Sequence, residues 1–215
     1  MKVRLGWLVS AYLLLPYAMA ENDCLTMNNC VNQQSVASQL SVNESNGIRR
    51  MQEEEKFAHD VYTVLQQKWP TLMLSNIIAS ERNHQQVMNR LAGHYGVSVQ
   101  IFDAVGRFHD PELQSLYTQL VAEGSKSQLA ALKVGAKIEE MDIADLKRLE
   151  SETQRSDIQR VYQQLNRGSR NHLRSFVRQI QLMGGEYQPQ YLSSSDYQAI
   201  ISSGVERGNR RGWMN

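Results

Sequence analysis

The chain has 215 residues, which is enough for one domain of ordinary size with short appendages. Its formal net charge is only +1, so no global electric field favours nucleic acid or an anionic membrane as a partner. Many Gln, Leu, Ser and Met residues, few aromatic residues and only four prolines are typical of a mostly helical protein.

Residues 1–20 have the pattern of a secretory signal peptide. Lys2 and Arg4 form a basic start, an apolar run follows over Leu5–Leu15, and the small-residue cleavage motif is Ala18–Ala20. The apolar run is shorter than the roughly 20 residues that a membrane-spanning helix needs. We therefore predict cleavage after this motif and export to the periplasm or the extracellular space. No stable membrane insertion is expected after cleavage.

The segment that follows the signal peptide, residues 21–46, is rich in Asn, Gln and Ser and is predicted to be a polar flexible linker. It contains Cys24 and Cys30, the only cysteines of the chain. In an oxidising compartment these two residues are candidates for a disulfide bond. A metal-binding or redox pair is the alternative, which the absence of a nearby histidine in the sequence makes weaker.

A helical domain is predicted over residues 47–203, beginning with two long helices. The first covers Gly47–Lys68 and ends before Pro70, because a proline disfavours helical geometry in the preceding residue. Ser75 is predicted to cap the second helix, which continues to about residue 94.

A short helix capped by Asp110 is predicted at residues 111–124. Two long helices follow at residues 127–151 and 156–183. A second short helix is predicted at residues 194–203, and a basic mobile tail at residues 204–215. Gly168 interrupts the fourth long helix and is expected to mark a kink, a π-bulge or a close helix contact. Four long helices with short, long and short connections predict an all-α fold. The specific prediction is a ferritin-like up-down four-helix bundle with a long crossover between helices 2 and 3 and short extra helices.

Glu81 and His84 are the first candidate metal ligands, because residues three apart on a helix project from the same face. Both fall on or beside the apolar stripe of the second helix. Ionised residues at core-facing positions are costly unless they are paired or bound to a cation. The same argument applies to Glu55, which shares a face with apolar residues of the first helix.

The third and fourth long helices carry further candidates. Glu139 is the main candidate on the third helix, with Glu140 as a rival and Asp142 one turn further along. His172 is the candidate on the fourth helix. A hydrogen-bonded core histidine without a metal is the other interpretation of this residue.

Four segments resemble the ferritin-like family catalogued as domain of unknown function 2202: MQEEEKFAHDVY, SNIIASERNH, VGAKIEEMDI and GSRNHLRSF, at residues 51–62, 75–84, 134–143 and 168–176. The likeness covers roughly residues 47–201. It implies a ferritin-like bundle and says little about activity.

The broader resemblance to di-iron bundles implies metal ligands at five positions: Glu55, Glu81, His84, Glu139 and His172. It implies that Tyr62 is a hydrogen-bond donor beside the site or a redox-active neighbour, and that Glu54 could replace its neighbour as a ligand. Ser169 departs from the pattern, because a carboxylate is expected three residues before the last histidine. A dinuclear site would then lack one carboxylate unless Asp142 or Glu140 compensates. Without such compensation, the site would hold a single metal ion or none.

Oxygen and imidazole ligands favour iron, manganese or zinc as the cofactor. The predicted function is an exported ferritin-like protein that binds iron or manganese, with di-iron-type oxidoreductase or metal-oxidising activity. The alternative is a non-enzymatic exported interaction or structural module, with a degenerate site that holds no metal. Metal ions are the predicted partners, nucleic acid is not, and the sequence leaves a homo-oligomer open.

Overall fold

The computed structural model describes residues 39–98 and 101–208. Within these ranges the protein is all-helical and has no β-strand. The helices are α1 Val42–Lys68, α2 Leu72–His94, α3 Pro111–Gly124, α4 Gln128–Ser151, α5 Ser156–Leu182 and α6 Ser194–Ser202. None of these helices is both long enough and apolar enough to cross a membrane. The predicted signal peptide, the predicted Cys24–Cys30 pair and residues 209–215 of the predicted tail lie outside the described residues.

Helix α1 begins at Val42, earlier than the predicted start at Gly47. The Ser41 hydroxyl accepts a hydrogen bond from the Glu44 backbone N–H at 3.1 Å, and the Glu44 carboxylate accepts one from the Ser41 N–H at 2.8 Å. This reciprocal arrangement is a capping box, which satisfies two backbone donors at the start of the helix. Residues 42–46 are therefore helical despite their polar composition, because Ser41 and Glu44 stabilise the first turn.

Helix α2 also begins earlier than predicted, and the prediction of Ser75 as its cap is wrong. The cap is Thr71, whose side chain accepts a hydrogen bond from the Leu74 N–H at 3.1 Å. Ser75 lies inside the first turn, where its hydroxyl donates to the Thr71 carbonyl at 3.2 Å. A threonine directly after a proline is enough to start the helix four residues earlier.

The later helices begin within one residue of their predicted starts, with Asp110, Ser127 and Ser193 as side-chain caps of α3, α4 and α6. Helix α5 continues without a break through Gly168. The start of the predicted mobile tail contacts α5, because Glu206 accepts hydrogen bonds from Arg170 at 2.7 Å and Arg174 at 2.6 Å.

The four long helices pack against one another: α1 against α2 and α4, and α5 against α4 and α2. Their buried apolar residues form two separate clusters. On α2, Ile77 belongs to one cluster and Val87 to the other, and Glu81 and His84 lie between them. Glu55 on α1 and His172 on α5 also lie between residues of the two clusters, whereas Glu139 on α4 follows residues of the first cluster. These buried polar side chains form a layer within the apolar core.

Gly135 permits close packing of α4 on α5. A Cβ atom at this position would lie 2.2 Å from Cε1 of Phe176, far inside van der Waals contact. We expect Gly135→Ala to lower the free energy of unfolding by about 1–3 kcal/mol, the usual cost of overpacking a core. Urea denaturation followed by circular dichroism measures this effect.

Gly93→Ala in α2 is the matched control, because a Cβ there meets no atom within 4 Å. Its stability should equal or slightly exceed that of the wild type, since alanine favours helices over glycine by about 1 kcal/mol. Equal stability of the two variants would contradict the close α4–α5 contact.

Candidate metal centre

Five buried side chains from the four long helices meet in the polar layer. Helix α1 contributes Glu55, α2 contributes Glu81 and His84, α4 contributes Glu139, and α5 contributes His172. The three glutamates have no solvent exposure, and the two histidines are at most 9% exposed. The structure thus brings together all five side chains that the sequence predicts as metal ligands.

The first group of ligand atoms joins α1 and α2. Nδ1 of His84 lies 3.0 Å from Oε2 of Glu81 and 3.2 Å from Oε2 of Glu55. One ligand atom from each residue lies within 4.8 Å of the other two. Two carboxylates and an imidazole at this spacing can hold one cation.

The second group joins α2, α4 and α5. Nδ1 of His172 lies 2.7 Å from Oε1 of Glu81 and 3.5 Å from Oε2 of Glu139. These residues also offer three ligand atoms within 4.8 Å of one another. Glu81 therefore belongs to both groups, and it turns a different oxygen toward each histidine.

Several of these atoms have no hydrogen-bond partner although they are fully buried. They include Oε1 of Glu55, Oε1 of Glu81, Oε2 of Glu139 and Nδ1 of His172. Two of them, on Glu81 and His172, approach each other to 2.7 Å without hydrogen-bond geometry. Buried polar atoms rarely lack partners in folded proteins. Buried ligand atoms that converge without hydrogen-bonding one another fit a shared cation, so the residues present are compatible with a metal.

The protonation states of the metal-free site follow from burial and from the nearest charges. Burial raises the pKa of Glu55 to about 7, against the opposing effect of His84. Burial would also raise the pKa of Glu81, but His172 and His84 outweigh it, and the pKa falls below its ordinary value. Burial would lower the pKa of His172, but Glu81 and Glu139 raise it to about 10. Burial would lower the pKa of His84 as well, but Glu55 and Glu81 raise it well above its ordinary value. Without a metal, Glu81 is therefore a carboxylate between two cationic imidazoles.

Tyr62 orients one of the candidate ligands. Its buried hydroxyl donates a hydrogen bond to Oε1 of Glu139 at 2.7 Å, and the other oxygen of Glu139 faces His172. Burial and the Glu139 charge raise the pKa of Tyr62 well above its ordinary value, so the hydroxyl keeps its proton.

The two rival glutamates, Glu54 and Glu140, have partners elsewhere. Glu140 accepts hydrogen bonds from the Tyr187 hydroxyl and from the backbone N–H groups of Gln190 at 3.0 Å and Leu192 at 3.2 Å. Glu54 pairs with Arg50 on its own helix. The register of each helix turns these side chains away from the five candidate ligands.

Ser169 has a hydrogen-bond partner, whereas Asp142 has none. The Ser169 hydroxyl donates to the carbonyl of Leu165, four residues earlier in α5, at 3.3 Å. It is therefore occupied by its own helix. Asp142 is 1% exposed, and neither of its oxygens has a hydrogen-bond partner. Burial, followed by the charges of Glu55 and Glu139, raises its pKa well above its ordinary value.

Gly168 makes a close contact between two helices. The sequence indicates such a contact only as one of several roles for this glycine. A Cβ atom at this position would lie 2.6 Å from both Cε1 and Nε2 of His84. The imidazole therefore packs against the bare backbone of α5. No spacing rule within one helix identifies the partner, because the contact joins two helices.

A family model described as "Uncharacterized protein domain (DUF2202)" matches residues 44–204. The chain is also similar to "Uncharacterized protein MJ0754" from Methanocaldococcus jannaschii, with 44% identity over 173 residues, covering 80% of this chain and 94% of the relative. The crystal structure of the hypothetical protein MJ0754 matches with a TM-score of 0.76 and 43% identity, covering 78% of this chain and 96% of that one. The resemblance to this family that the sequence motifs indicate is confirmed.

Gly168→Ala tests the packing of His84. Alanine would normally stabilise a helix interior by about 1 kcal/mol relative to glycine. Here we expect destabilisation by about 1–3 kcal/mol, because the methyl group overlaps the imidazole ring. Thermal unfolding of the metal-free protein measures the sign, and a stabilised variant would contradict the contact.

Proposed function

The chain belongs to the DUF2202 family, and we propose that its four long helices form a ferritin-like bundle whose core binds a pair of metal ions. The connections support this proposal. Short segments, residues 69–71 and 152–155, join α1 to α2 and α4 to α5, whereas a long segment that includes α3 joins α2 to α4. One long crossover between two helix pairs is the connectivity of ferritin-like proteins.

The main observation behind the proposal is that Glu81 belongs to both groups of ligand atoms. Its two oxygens lie 3.0 Å from Nδ1 of His84 and 2.7 Å from Nδ1 of His172. Each histidine has a further carboxylate beside it, from Glu55 or Glu139. Two three-residue groups that share one carboxylate provide both histidines and three of the four carboxylates of a dinuclear carboxylate site.

The roles of the residues follow from their chemistry. Glu55, Glu81 and Glu139 would neutralise the positive charge, and Glu81 would contact both ions. His84 and His172 would be terminal ligands, and oxygen and imidazole donors favour iron, manganese or zinc.

A bound pair of redox-active ions would supply electron transfer to O₂ or peroxide, or oxidation of iron itself. Oxidoreductase or metal-oxidising activity in an exported protein is therefore our functional proposal. The hydrogen bond from Tyr62 to Glu139 would hold one ligand in position and keep a phenol next to the site.

The alternative is a non-enzymatic exported module with a metal-free polar core. The hydrogen-bond distances of His84 to Glu55 and Glu81 favour it, because an imidazolium between two carboxylates needs no metal. The unpartnered atoms of Glu81 and His172 favour the metal site. Metal loading distinguishes the two functions.

We expect the protein spanning residues 21–215 to retain about two ions per chain after anaerobic loading with Fe(II) or Mn(II) and desalting. Elemental analysis gives the ratio. The double variant Glu81→Gln, His84→Gln should lose both ions, because it removes the shared carboxylate and one imidazole.

Glu139→Gln and Glu140→Gln form a matched pair, since both residues are buried neighbours on α4 and both changes remove one charge. Glu139→Gln should lower the metal content, whereas Glu140→Gln should keep two ions although it weakens the contact with Tyr187. Wild-type protein without metal would argue for the metal-free module, whereas equal losses in the pair would contradict the assignment of Glu139 as a ligand.

A further inference from the structure

We propose that Asp142 is the fourth carboxylate ligand of the metal centre, supplied by α4 in place of the carboxylate that α5 lacks. This inference rests on the proposed function, because a ligand requires a bound metal. It goes further by assigning a residue outside both three-residue groups.

The first step is the deficit at position 169. Di-metal carboxylate bundles place a Glu-x-x-His pair on each of two helices and one further glutamate on each of the other two. Helix α2 supplies such a pair with Glu81 and His84, but α5 supplies Ser169 before His172. The Ser169 hydroxyl already bonds the Leu165 carbonyl. The two groups therefore contain three carboxylates between them.

The second step is the position of Asp142. It follows Glu139 by three residues on α4, and this spacing places both side chains on one helix face about one turn apart. Asp142 is also buried, with 1% solvent exposure. An aspartate at this position extends the acidic face of α4 along the same polar layer.

The third step is the absence of any hydrogen-bond partner. Among the buried carboxylates of residues 39–98 and 101–208, only Asp142 leaves both oxygens unpartnered. Nearby carboxylates do have partners, since Glu140 accepts hydrogen bonds from three groups and Glu54 forms an ion pair with Arg50. A buried carboxylate without a donor is costly unless it is protonated or bound to a cation.

The fourth step is the charge around Asp142. After burial, the strongest influences on its pKa are the carboxylates of Glu55, Glu139, Glu54 and Glu81, and each of them raises it. Glu55 belongs to the group around His84 and Glu139 to the group around His172. These surrounding negative charges disfavour an ionised Asp142 in the absence of a compensating cation.

The balance of charge supports the same assignment. Two divalent cations bring four positive charges into a buried site, and neutral imidazoles cancel none of them. Glu55, Glu81 and Glu139 would leave one charge uncompensated, whereas the addition of Asp142 makes the site neutral. A net charge in the low-dielectric interior would weaken the binding of the second ion.

Asp142→Asn tests the assignment, because it keeps the shape of the side chain and removes the charge. The variant breaks no hydrogen bond, so the metal-free protein should melt no lower than the wild type. Titration with Mn(II) and Zn(II) should show at least tenfold weaker binding of one ion and about one ion retained after desalting. Electron paramagnetic resonance of the Mn(II) form should change from a coupled pair to an isolated ion.

Glu140→Gln serves as the control, since it removes the same charge two residues away and should keep both ions and the coupled signal. Asp142→Ser is a second variant without a carboxylate and should reproduce the loss. Two ions with wild-type affinity in both Asp142 variants would overturn this inference and leave the proposed function intact. A wild-type protein that binds neither Mn(II) nor Zn(II) would overturn both.

Discussion

The burial of the Glu81 carboxylate between two imidazoles is the interaction on which the rest of the structure depends. A carboxylate with no solvent exposure must be compensated by charge or by hydrogen bonds. His84 and His172 lie against its two oxygens, and they come from different helices. The need to satisfy one acidic group therefore connects α2 with α5.

This requirement also shapes the packing around the site. The polar layer separates the buried apolar residues into two clusters, and each long helix contributes to both of them. Gly168 lets the His84 ring lie against the backbone of α5, and Tyr62 fixes Glu139 by a hydrogen bond. A fixed helix register is therefore needed in the middle of the molecule, where a shift of one residue would bury a ligand in an apolar cluster.

Helical periodicity and caps predict the six described helices and place Glu55, Glu81 and His84 on core-facing stripes, whereas the choice of Glu139 and His172 as ligands depends on the resemblance to di-iron bundles. Periodicity and caps act within one helix, so the sequence carries them directly. Helix α1 starts earlier than predicted because its capping box outweighs the polar composition of residues 42–46, and α2 starts earlier because Thr71 rather than Ser75 is its cap. The unpartnered state of Asp142 could not be predicted, because it depends on which donors the neighbouring helices bring near it.

The most direct test of the central claim is anomalous X-ray diffraction from crystals of the protein loaded with Mn(II). We expect two anomalous peaks about 3.5–4 Å apart, the usual spacing of paired metal ions, with the Glu81 carboxylate in contact with both. One peak should lie beside His84 and the other beside His172. An absence of anomalous density between α2 and α5, with Glu81 bonded only to the two imidazoles, would contradict the account.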